Sequence, residues 1–427
     1  MKRKDLKRVL KLTSHEKARS ELLKVACIKP IGYEEIPIEN SLGRVLAVDI
    51  MANKNIPEEN RAVFDGYAIR SADTAGASAG NPITLKIVGE MFPGEAPYKL
   101  SSGQAVFTAC GAPMPNGADA VVMAENVRLM GDRIEIRFPV EPGENVAFEG
   151  EDVEKGRLIL RKGCFLRPQD VGLLAGIGMR SVKVFKKPKV DIISIGDELV
   201  KLSGREPDKV VNNYALIVSS LVSEFGATPR VFGIVPDNLD RIKRTISEAV
   251  EKADMVATIA GCSVGPRDLV PDAITALDES VIVFHGVKLS PGKVMGAGIV
   301  KGKPVVMLPG HIVSAYAGFF LLIAPLIAQY LGLQTEFPLP IVQARLTEDI
   351  KAKSTATFLR LRLTYINGQF EAKPVHGGSN ILTTLINSNG YMIVPKGKGF
   401  KRGTVVKVIL YDKYEFAHIL SLNTTGA

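Results

Sequence analysis

The sequence lacks the cysteine pattern of a disulfide-rich or zinc-binding protein. Its 427 residues contain four cysteines and no tryptophan, and no two cysteines form a C-x-x-C pair. The cysteines are Cys27, Cys110, Cys164 and Cys262. Their wide separation favours free thiols in a reducing cytosol over disulfides or a zinc site. His285, His311 and His376 also lack metal-ligand spacing, and we interpret them as structural.

Signals for secretion and membrane insertion are weak. The basic N-terminus has no apolar central region of the kind that a secretory signal needs. One uncharged stretch, 312–333, is long enough to span a bilayer. It contains Pro325 and Gln329 and follows strands and helices in the pattern of a water-soluble α/β protein. These features favour a helix buried against a sheet or at a subunit interface. We therefore expect a cytoplasmic protein with no membrane partner.

Positive charge is in excess, with a formal net charge of +9. The first 24 residues hold nine Lys or Arg against three Asp or Glu. A second basic cluster consists of Lys396, Lys398, Lys401, Arg402 and Lys407. Nucleic-acid binding is one interpretation, but neither cluster alternates with stacking aromatics. We favour a solvated basic face, or help in binding an anionic ligand, and expect no nucleic-acid partner.

The length predicts two to four domains. Short apolar runs separated by Gly, Pro and Asn turns predict a β-rich domain at 56–140. Strands alternate with helices over 187–335, which predicts a doubly wound, mostly parallel sheet. The predicted strands there are 190–195, 230–235, 255–259, 281–287, 294–300 and 304–308, and the helices before 312–333 are 213–225, 239–253 and 269–277. From 336 to 427 the pattern alternates again, as in a small β-barrel or sandwich.

Five turns in the α/β region combine glycine with polar or charged residues. They are 194–198, 235–238, 260–265, 290–293 and 308–311. Turns that follow parallel strands lie outside the carboxyl ends of the strands, where open α/β sheets bind their ligands. The sequence therefore predicts one crevice for an anionic, phosphate-bearing molecule.

Each acidic or small-residue turn has a functional and a structural interpretation. Glu198 and Asp237 each follow a predicted strand, where a carboxylate either holds a divalent cation or caps the next helix. The loop 261–265 either lets backbone N–H groups approach an anion or is an ordinary glycine-rich turn. Asp268 either ligates a metal that bridges phosphates or caps the helix that follows it.

The remaining candidates are individually weaker. Lys293, with Lys288 five residues earlier, either neutralises an oxyanion or is simply solvated. Asp65 lies in an Asp-Gly pair and Asp152 in a Gly-Glu-Asp sequence, and both sequences are typical of turns.

A series of short motifs covers nearly the whole chain in a fixed order. They are Asp65-Gly66-Tyr67-Ala68, 111–122, 143–146, 150–152, 196–199, 263–265 with Asp268, 291–293, Pro309-Gly310, 358–360 and Gly378-Ser379. Together they resemble the molybdopterin molybdenumtransferase family, of the MoeA and gephyrin E-domain type, as a divergent member.

The resemblance implies a multidomain α/β plus β fold with four domains. They are an elongated linking domain at 1–55 and 141–186, a β-rich domain at 56–140, a molybdopterin-binding-type α/β domain at 187–335 and a C-terminal β-barrel at 336–427. The implied assembly is a homodimer. Its active cleft combines the α/β domain of one chain with the β-rich domain of the other.

The implied reaction converts adenylylated molybdopterin and molybdate, or tungstate, into molybdenum cofactor and AMP with Mg²⁺. By resemblance, the catalytic residues are Asp65, Asp152, Glu198, Asp237 and Asp268, of which Asp65, Glu198 and Asp268 would hold the metal. The substrate-binding residues are Gly261, Ser263, Gly265, Lys288, Ser290, Lys293, Pro309, Gly310, Arg360 and Ser379. Cations and hydroxyls such as Lys293, Arg360 and Ser379 suit a tetrahedral oxyanion.

Several motifs depart from the family pattern. The family's Lys-Pro-Gly-Lys-Pro reads Ser-Pro-Gly-Lys-Val from Ser290, and its Pro-Gly-Asn-Pro reads Pro-Gly-His-Ile from Pro309. The cation lost at Ser290 is replaced by Lys288 if both lie on the same side of a strand. Two alternatives stay open: a paralogue that binds a pterin, nucleotide or protein partner without turnover, and an enzyme acting on another phosphorylated molecule.

Overall fold

The computed structural model describes residues 10–97, 99–204, 206–333, 337–412 and 414–415. The basic residues before position 10 and the predicted boundary at 335–336 lie outside this part of the chain. Two compact units are present: one contains residues up to 34, 43–47 and from 183 onward, and the other contains 35–42 and 48–182. The finer division into four domains stays a prediction.

The smaller unit is built on a six-stranded sheet, in agreement with the predicted β-rich character of this region. The strands, in order across the sheet, are Ala120–Met123, Gly66–Ile69, Gln104–Thr108, Ile83–Met91, Arg133–Ile136 and Arg128–Met130. All neighbours are antiparallel except one central parallel pair. Alternate residues point to a buried core that includes Ile69, Leu85 and Ile134.

Short elements complete this part of the chain. The remaining strands are Ile50–Met51, Arg61–Ala62, Val146–Ala147 and Leu158–Leu160, the α-helix is Pro168–Gly176, and the 3₁₀ turns are Ile38–Asn40, Ser71–Thr74 and Ala124–Asn126. Tyr33–Pro37 and Ser181–Phe185 form a separate two-stranded pair.

The larger unit contains the predicted α/β sheet. Its strands, in order across the sheet, are Thr228–Val235, Lys189–Ile195, Met255–Ile259, Lys303–Leu308, Gly296–Val300 and Ser280–His285. The first four are mutually parallel, and the last two are antiparallel to their neighbours. The prediction of a mostly parallel sheet is therefore confirmed. A small additional pair joins Leu199–Val200 to Val210–Val211.

The larger unit also contains α-helices, the first of which lies in the N-terminal segment. They are His15–Ala26, Asn213–Glu224, Leu239–Lys252, Val270–Thr275, Ile312–Gly318, Ala324–Tyr330 and Thr383–Ile386. Ser14 caps the first of them by accepting a hydrogen bond from the Lys17 N–H. Leu239–Lys252 turns Ile242, Ile246 and Val250 into the core, as its helical spacing of apolar residues requires.

The long apolar stretch is one continuous helical run with a local irregularity. A π-helical turn, Phe319–Ile323, joins its two α-helical halves. Pro325 is the second residue of the second half, Ala324–Tyr330, and its missing N–H removes one bond of the regular α-helical pattern. The run Ile312–Tyr330 is long and apolar enough to cross a membrane, yet 83% of its apolar window is buried inside the protein. That burial is typical of a core helix.

The C-terminal region closes into a five-stranded barrel. Its strands, in order around the barrel, are Ala356–Ile366, Gln369–Pro374, Ile341–Leu346, Val405–Leu410 and Gly390–Val394, and the last pairs with the first. Closure leaves no exposed edge among these five strands. The interior includes Leu361, Leu363 and Val408.

Gly66 illustrates a steric limit that the sequence does not display. It begins the strand Gly66–Ile69 and is not left-handed; instead, a Cβ at this position would lie 2.1 Å from the Val122 carbonyl oxygen. Because the obstacle is backbone in a paired neighbouring strand, it cannot easily move aside. Gly66→Ala should therefore lower the unfolding free energy by about 1–3 kcal/mol or more.

Urea unfolding of the full chain, followed by circular dichroism, measures this loss. Gly80→Ala is the matched control, because a Cβ at Gly80 meets no atom within 4 Å. Equal midpoints for the two variants would show that the close approach at Gly66 is not a real constraint.

Candidate functional site

The register of the α/β sheet brings all five predicted turns to one edge. Four of them follow the carboxyl ends of mutually parallel strands. The fifth, 290–293, precedes Gly296–Val300, which runs antiparallel to its neighbour. Gly296 pairs with Met307, near the carboxyl end of Lys303–Leu308, so this turn lies at the same edge.

Three carboxylates gather at the first two of these turns. The Asp237 N–H donates to Asp197 Oδ1 over 3.2 Å. Burial, followed by the negative charges of Asp197 and Glu198, raises the pKa of Asp237, while a hydrogen bond from backbone and the charge of Arg267 partly oppose the rise. Negative charge is therefore in excess here, which is the environment that a cationic ligand offsets.

Helix capping, the alternative role for these acids, is absent at the helices that follow them. Asn238, not Asp237, caps Leu239–Lys252 by accepting from the Arg241 N–H. No side chain caps Asn213–Glu224, which follows Glu198, and none caps Val270–Thr275, which follows Asp268.

Asp268 instead binds back to its own glycine-rich loop. Its Oδ1 accepts the Ser263 N–H and its Oδ2 accepts the Gly265 N–H, each over 2.8 Å. Two of the backbone donors predicted to approach an anion therefore bond to a carboxylate of the same loop. The helix that begins after the loop has only six residues, so a helix dipole contributes little there. The metal role of Asp268 stays a prediction.

The same loop depends on Gly261 for its shape. Gly261 has φ of +67°, and a Cβ there would lie 2.9 Å from Val270 Cγ2 and 3.1 Å from Ile195 Cγ2. Both the left-handed backbone and the tight packing therefore require glycine. Gly310 approaches the loop from the neighbouring strand, where its Cβ would lie 3.0 Å from the Ala260 Cβ.

A cavity of about 200 Å³ opens at this edge of the sheet. Glu198, Ala260 and Gly310 line it on the side of the turns. Asn212 and Tyr214, at the start of Asn213–Glu224, line it on the other side. Asn212 is held in place because its Oδ1 accepts the buried Ser194 hydroxyl over 2.9 Å.

The fifth turn is attached directly to the barrel. Leu289 pairs with Ala356, and Ser290 pairs with Thr357, as a short parallel strand. Leu289 is buried, while Lys288 and Ser290 on either side of it are exposed. The strand begins at Leu289, after Lys288, so the prediction that Lys288 and Ser290 share one side of a strand stays a prediction. Lys293 is also exposed.

Arg360 lies farther along the barrel strand that receives Ser290. It is only 6% exposed, and burial lowers its pKa. Its Nη1 donates to Thr384 Oγ1 over 2.7 Å and its Nη2 to the Gly377 carbonyl over 2.9 Å, while its Nε is buried without a partner. Within the described ranges no carboxylate forms an ion pair with this guanidinium, so it suits an anionic ligand.

Ser379 joins the barrel to the turn after Lys303–Leu308. Its hydroxyl lies 2.7 Å from His311 Nδ1, and its carbonyl accepts the Val313 N–H over 3.0 Å. The predicted substrate residues Pro309 and Gly310 immediately precede His311 in the sequence. His311 thus bonds to a predicted substrate residue, a contact that its place directly after Pro-Gly indicates only in hindsight.

Asp65 and Asp152 belong to the other unit. Both are exposed. Asp65 Oδ1 accepts the Cys110 N–H over 2.7 Å, and the Asp152 N–H donates to the Ile56 carbonyl over 3.0 Å. Their predicted place in a cleft shared with Glu198, Asp237 and Asp268 stays a prediction. Across the described ranges, no three His, Cys, Asp or Glu side chains form a group that could hold a metal ion.

These features define a multidomain α/β protein in which polar and charged side chains gather at the carboxyl edge of the sheet, in contact with a β-barrel. Family descriptions match the same three regions. The MoeA N-terminal region (domain I and II) matches residues 13–178, the "probable molybdopterin binding domain" matches 191–329, and the MoeA C-terminal region (domain IV) matches 343–411.

Relatives match nearly the whole chain. A molybdopterin molybdenumtransferase of Staphylococcus aureus is 34% identical over 382 residues, covering 88% of this chain and 91% of the relative. One of Bacillus subtilis is 34% identical over 386 residues, covering 88% and 89%. The crystal structure of a molybdopterin biosynthesis MoeA protein from Pyrococcus horikoshii matches with a TM-score of 0.81 and 35% identity, covering 94% of this chain and 100% of that one. The chain therefore belongs to the MoeA-type molybdopterin molybdenumtransferase family, which acts in molybdenum cofactor biosynthesis.

The raised pKa of Asp237 gives a stability test. A carboxyl whose pKa is higher in the folded state contributes stability below its unfolded pKa and loses it as pH rises through the folded value. Asp237→Asn removes the charge without changing volume. It should therefore raise the melting temperature at pH 7–8 by about 1–2 °C, and this difference should vanish near pH 3.

Differential scanning calorimetry across that pH range measures the effect. Asp278→Asn, at an exposed position of the same unit, is the control and should show no such pH-dependent gain. A lower melting temperature for Asp237→Asn at pH 7–8 would contradict crowding of negative charge at this turn.

Proposed function

We propose that this chain inserts molybdate or tungstate into adenylylated molybdopterin and releases AMP with the help of Mg²⁺. The observation that carries the proposal is the arrangement within the larger unit. In the described ranges, Arg360 has a positive charge without an ion-pair partner, and negative charge is crowded around Glu198. The elements that carry these residues meet at one edge of the α/β sheet. Such a site suits a substrate that contains both an oxyanion and a phosphate bridged by a metal.

The acidic residues at these turns carry the oxygen donors that magnesium binds, without forming a complete metal site by themselves. Asp197, Glu198 and Asp237 offer carboxylate oxygens, and the raised pKa of Asp237 marks charge that a divalent cation would offset. Mg²⁺ usually binds through one or two carboxylates plus substrate phosphates and water, so a complete protein cage is not required. Glu198 would hold the ion here, with Asp65 and Asp268 as further predicted ligands, and the ion would neutralise charge on the phosphoryl oxygens.

The oxyanion would bind beside Arg360. Its guanidinium is positioned by Thr384 and the Gly377 carbonyl, both neutral groups, so its charge is left for a ligand. Ser379 lies two residues after Gly377 and supplies a hydroxyl. Lys288 and Lys293 lie on the turn that pairs with the same barrel strand, and their exposed ammonium groups would add attraction for an anion.

Release of AMP tests the enzyme activity. Full-length protein is incubated with adenylylated molybdopterin, Mg²⁺ and molybdate or tungstate, and AMP is separated by chromatography. Glu198→Gln should lower the rate roughly 100-fold, because it removes a charge that supports the metal. Glu248→Gln, at an exposed helix position of the same unit, is the control and should retain the rate.

Two outcomes would contradict this function. No AMP from the wild type with either oxyanion would exclude the reaction, and equal rates for both variants would exclude the role of Glu198. Tight calorimetric binding of the substrate without AMP release would instead support a paralogue that binds without turnover, which the changed residues Ser290, Val294 and His311 favour.

The proposal includes a homodimer in which Asp65 and Asp152 serve the site of the partner chain. Mixing two inactive variants tests this directly. Asp65→Asn chains combined with Glu198→Gln chains would form one intact site in each mixed dimer, because each chain contributes the residue that the other lacks. About a quarter of wild-type activity should return after subunits exchange at random, since half of the dimers are mixed and half of their sites are intact.

The control is the double variant, Asp65→Asn with Glu198→Gln in one chain, mixed with wild type. Activity that fails to return in the first mixture, although light scattering shows mixed dimers, would place both residues in one chain's site or in no common site.

A further inference from the structure

His311 contacts the barrel but has no role in the reaction described above. It follows the turn Pro309-Gly310 and directly precedes the helix Ile312–Gly318. A residue in that place often caps the helix through its side chain, yet the His311 side chain makes no cap bond. Its Nδ1 instead lies 2.7 Å from Ser379 Oγ, so the imidazole forms its hydrogen bond with that hydroxyl.

The loop that carries Ser379 is held without this contact. Arg360 Nη2 donates to the Gly377 carbonyl, and the Val313 N–H donates to the Ser379 carbonyl. Nearby, Leu385 packs with Ile312 and Val313 in one buried cluster. These contacts fix the backbone of the loop. The bond to His311 therefore sets the orientation of the Ser379 hydroxyl.

A serine hydroxyl has one hydrogen to donate and two lone pairs to accept. If His311 Nδ1 carries a hydrogen, the ring donates to Ser379 Oγ and the hydroxyl hydrogen is available to a ligand. If Nδ1 is bare, the hydroxyl donates to the ring and presents only lone pairs. A fully ionised tetrahedral oxyanion accepts hydrogen bonds and cannot donate them, so only the first arrangement favours its binding.

We propose that His311 is a positioning residue that determines affinity for the oxyanion. It donates its Nδ1–H to Ser379 Oγ and so directs the Ser379 hydroxyl hydrogen toward an anion beside Arg360. This inference rests on the proposed function, because it takes the space next to Arg360 and Ser379 as the oxyanion site. It assigns a task to a histidine that has no acidic or metal partner of its own in the described ranges.

Three substitutions separate this role from simple packing. Asn places an amide N–H₂ at the position of Nδ1 and can still donate to Ser379. Leu has the same branching without a donor. Gln keeps an amide but moves it one atom farther along the side chain, to the position of Nε2.

The experiment measures oxyanion binding and turnover on the full-length protein. Molybdate and tungstate are titrated by calorimetry in the presence of adenylylated molybdopterin without Mg²⁺, and AMP release is followed against oxyanion concentration with Mg²⁺. His311→Leu and His311→Gln should raise the half-saturating oxyanion concentration about tenfold, the effect of one lost hydrogen bond. The rate at saturation should change far less. His311→Asn should restore most of the affinity.

A double-variant cycle locates the effect at Ser379. Ser379→Ala should weaken binding by a similar factor, and His311→Leu on that background should weaken it little further. Melting temperatures are measured in parallel, and His311→Gln keeps the test valid if His311→Leu unfolds.

The outcomes distinguish this inference from the proposed function. A wild type that binds neither oxyanion contradicts both. A wild type that binds and turns over, with His311→Leu and His311→Gln equal to it, contradicts the role of His311 alone. Equal losses from His311→Leu with and without Ser379 also overturn the inference, because the histidine would then act independently of that hydroxyl.

Discussion

The arrangement of the candidate site depends on the backbone pairing between Leu289–Ser290 and the barrel strand Ala356–Ile366. This short parallel contact ties a turn of the α/β sheet to the strand that carries Arg360. A second connection, from His311 to Ser379, ties the neighbouring turn to the next barrel loop. Because backbone polar groups in buried structure need partners, the paired strand holds its position firmly. The groups that we propose to bind the oxyanion are thus fixed by long-range contacts between two differently folded regions.

Two charged groups of this unit have pKa values shifted against their ionised forms. Asp237 has a raised pKa because burial and two neighbouring carboxylates oppose its charge, and Arg360 has a lowered pKa because burial opposes its charge. In the described part of the chain, neither group forms an ion pair with an opposite charge that would offset this cost. Opposed shifts of this kind are common where a charged substrate supplies the missing partner. An anion beside Arg360 and a cation beside Glu198 would relieve both.

Local patterns in the sequence predicted the elements well. The strand Met255–Ile259 begins and ends as predicted, and the grouping of turns at one sheet edge follows from alternating strands and helices. The predicted helix 269–277 is shorter, Val270–Thr275. The resemblance to a family supplied the predicted site residues. Neither the local patterns nor the resemblance predicted the hydrogen-bond partners of these side chains. Asp268 accepts hydrogen bonds from N–H groups of the neighbouring loop, and His311 contacts a residue 68 positions away in the sequence. Such contacts depend on tertiary geometry that spacing does not encode.

The most direct test is a crystal structure of the protein soaked with tungstate, with anomalous diffraction collected at a tungsten absorption edge. The strong anomalous signal identifies the ion without ambiguity. We expect one main peak within hydrogen-bonding distance of Arg360 and Ser379, on the side of the turn that carries Lys293. A fully occupied peak elsewhere, with Arg360 and Ser379 unchanged and empty of tungstate, would contradict the claim that the barrel and the sheet edge form one oxyanion site.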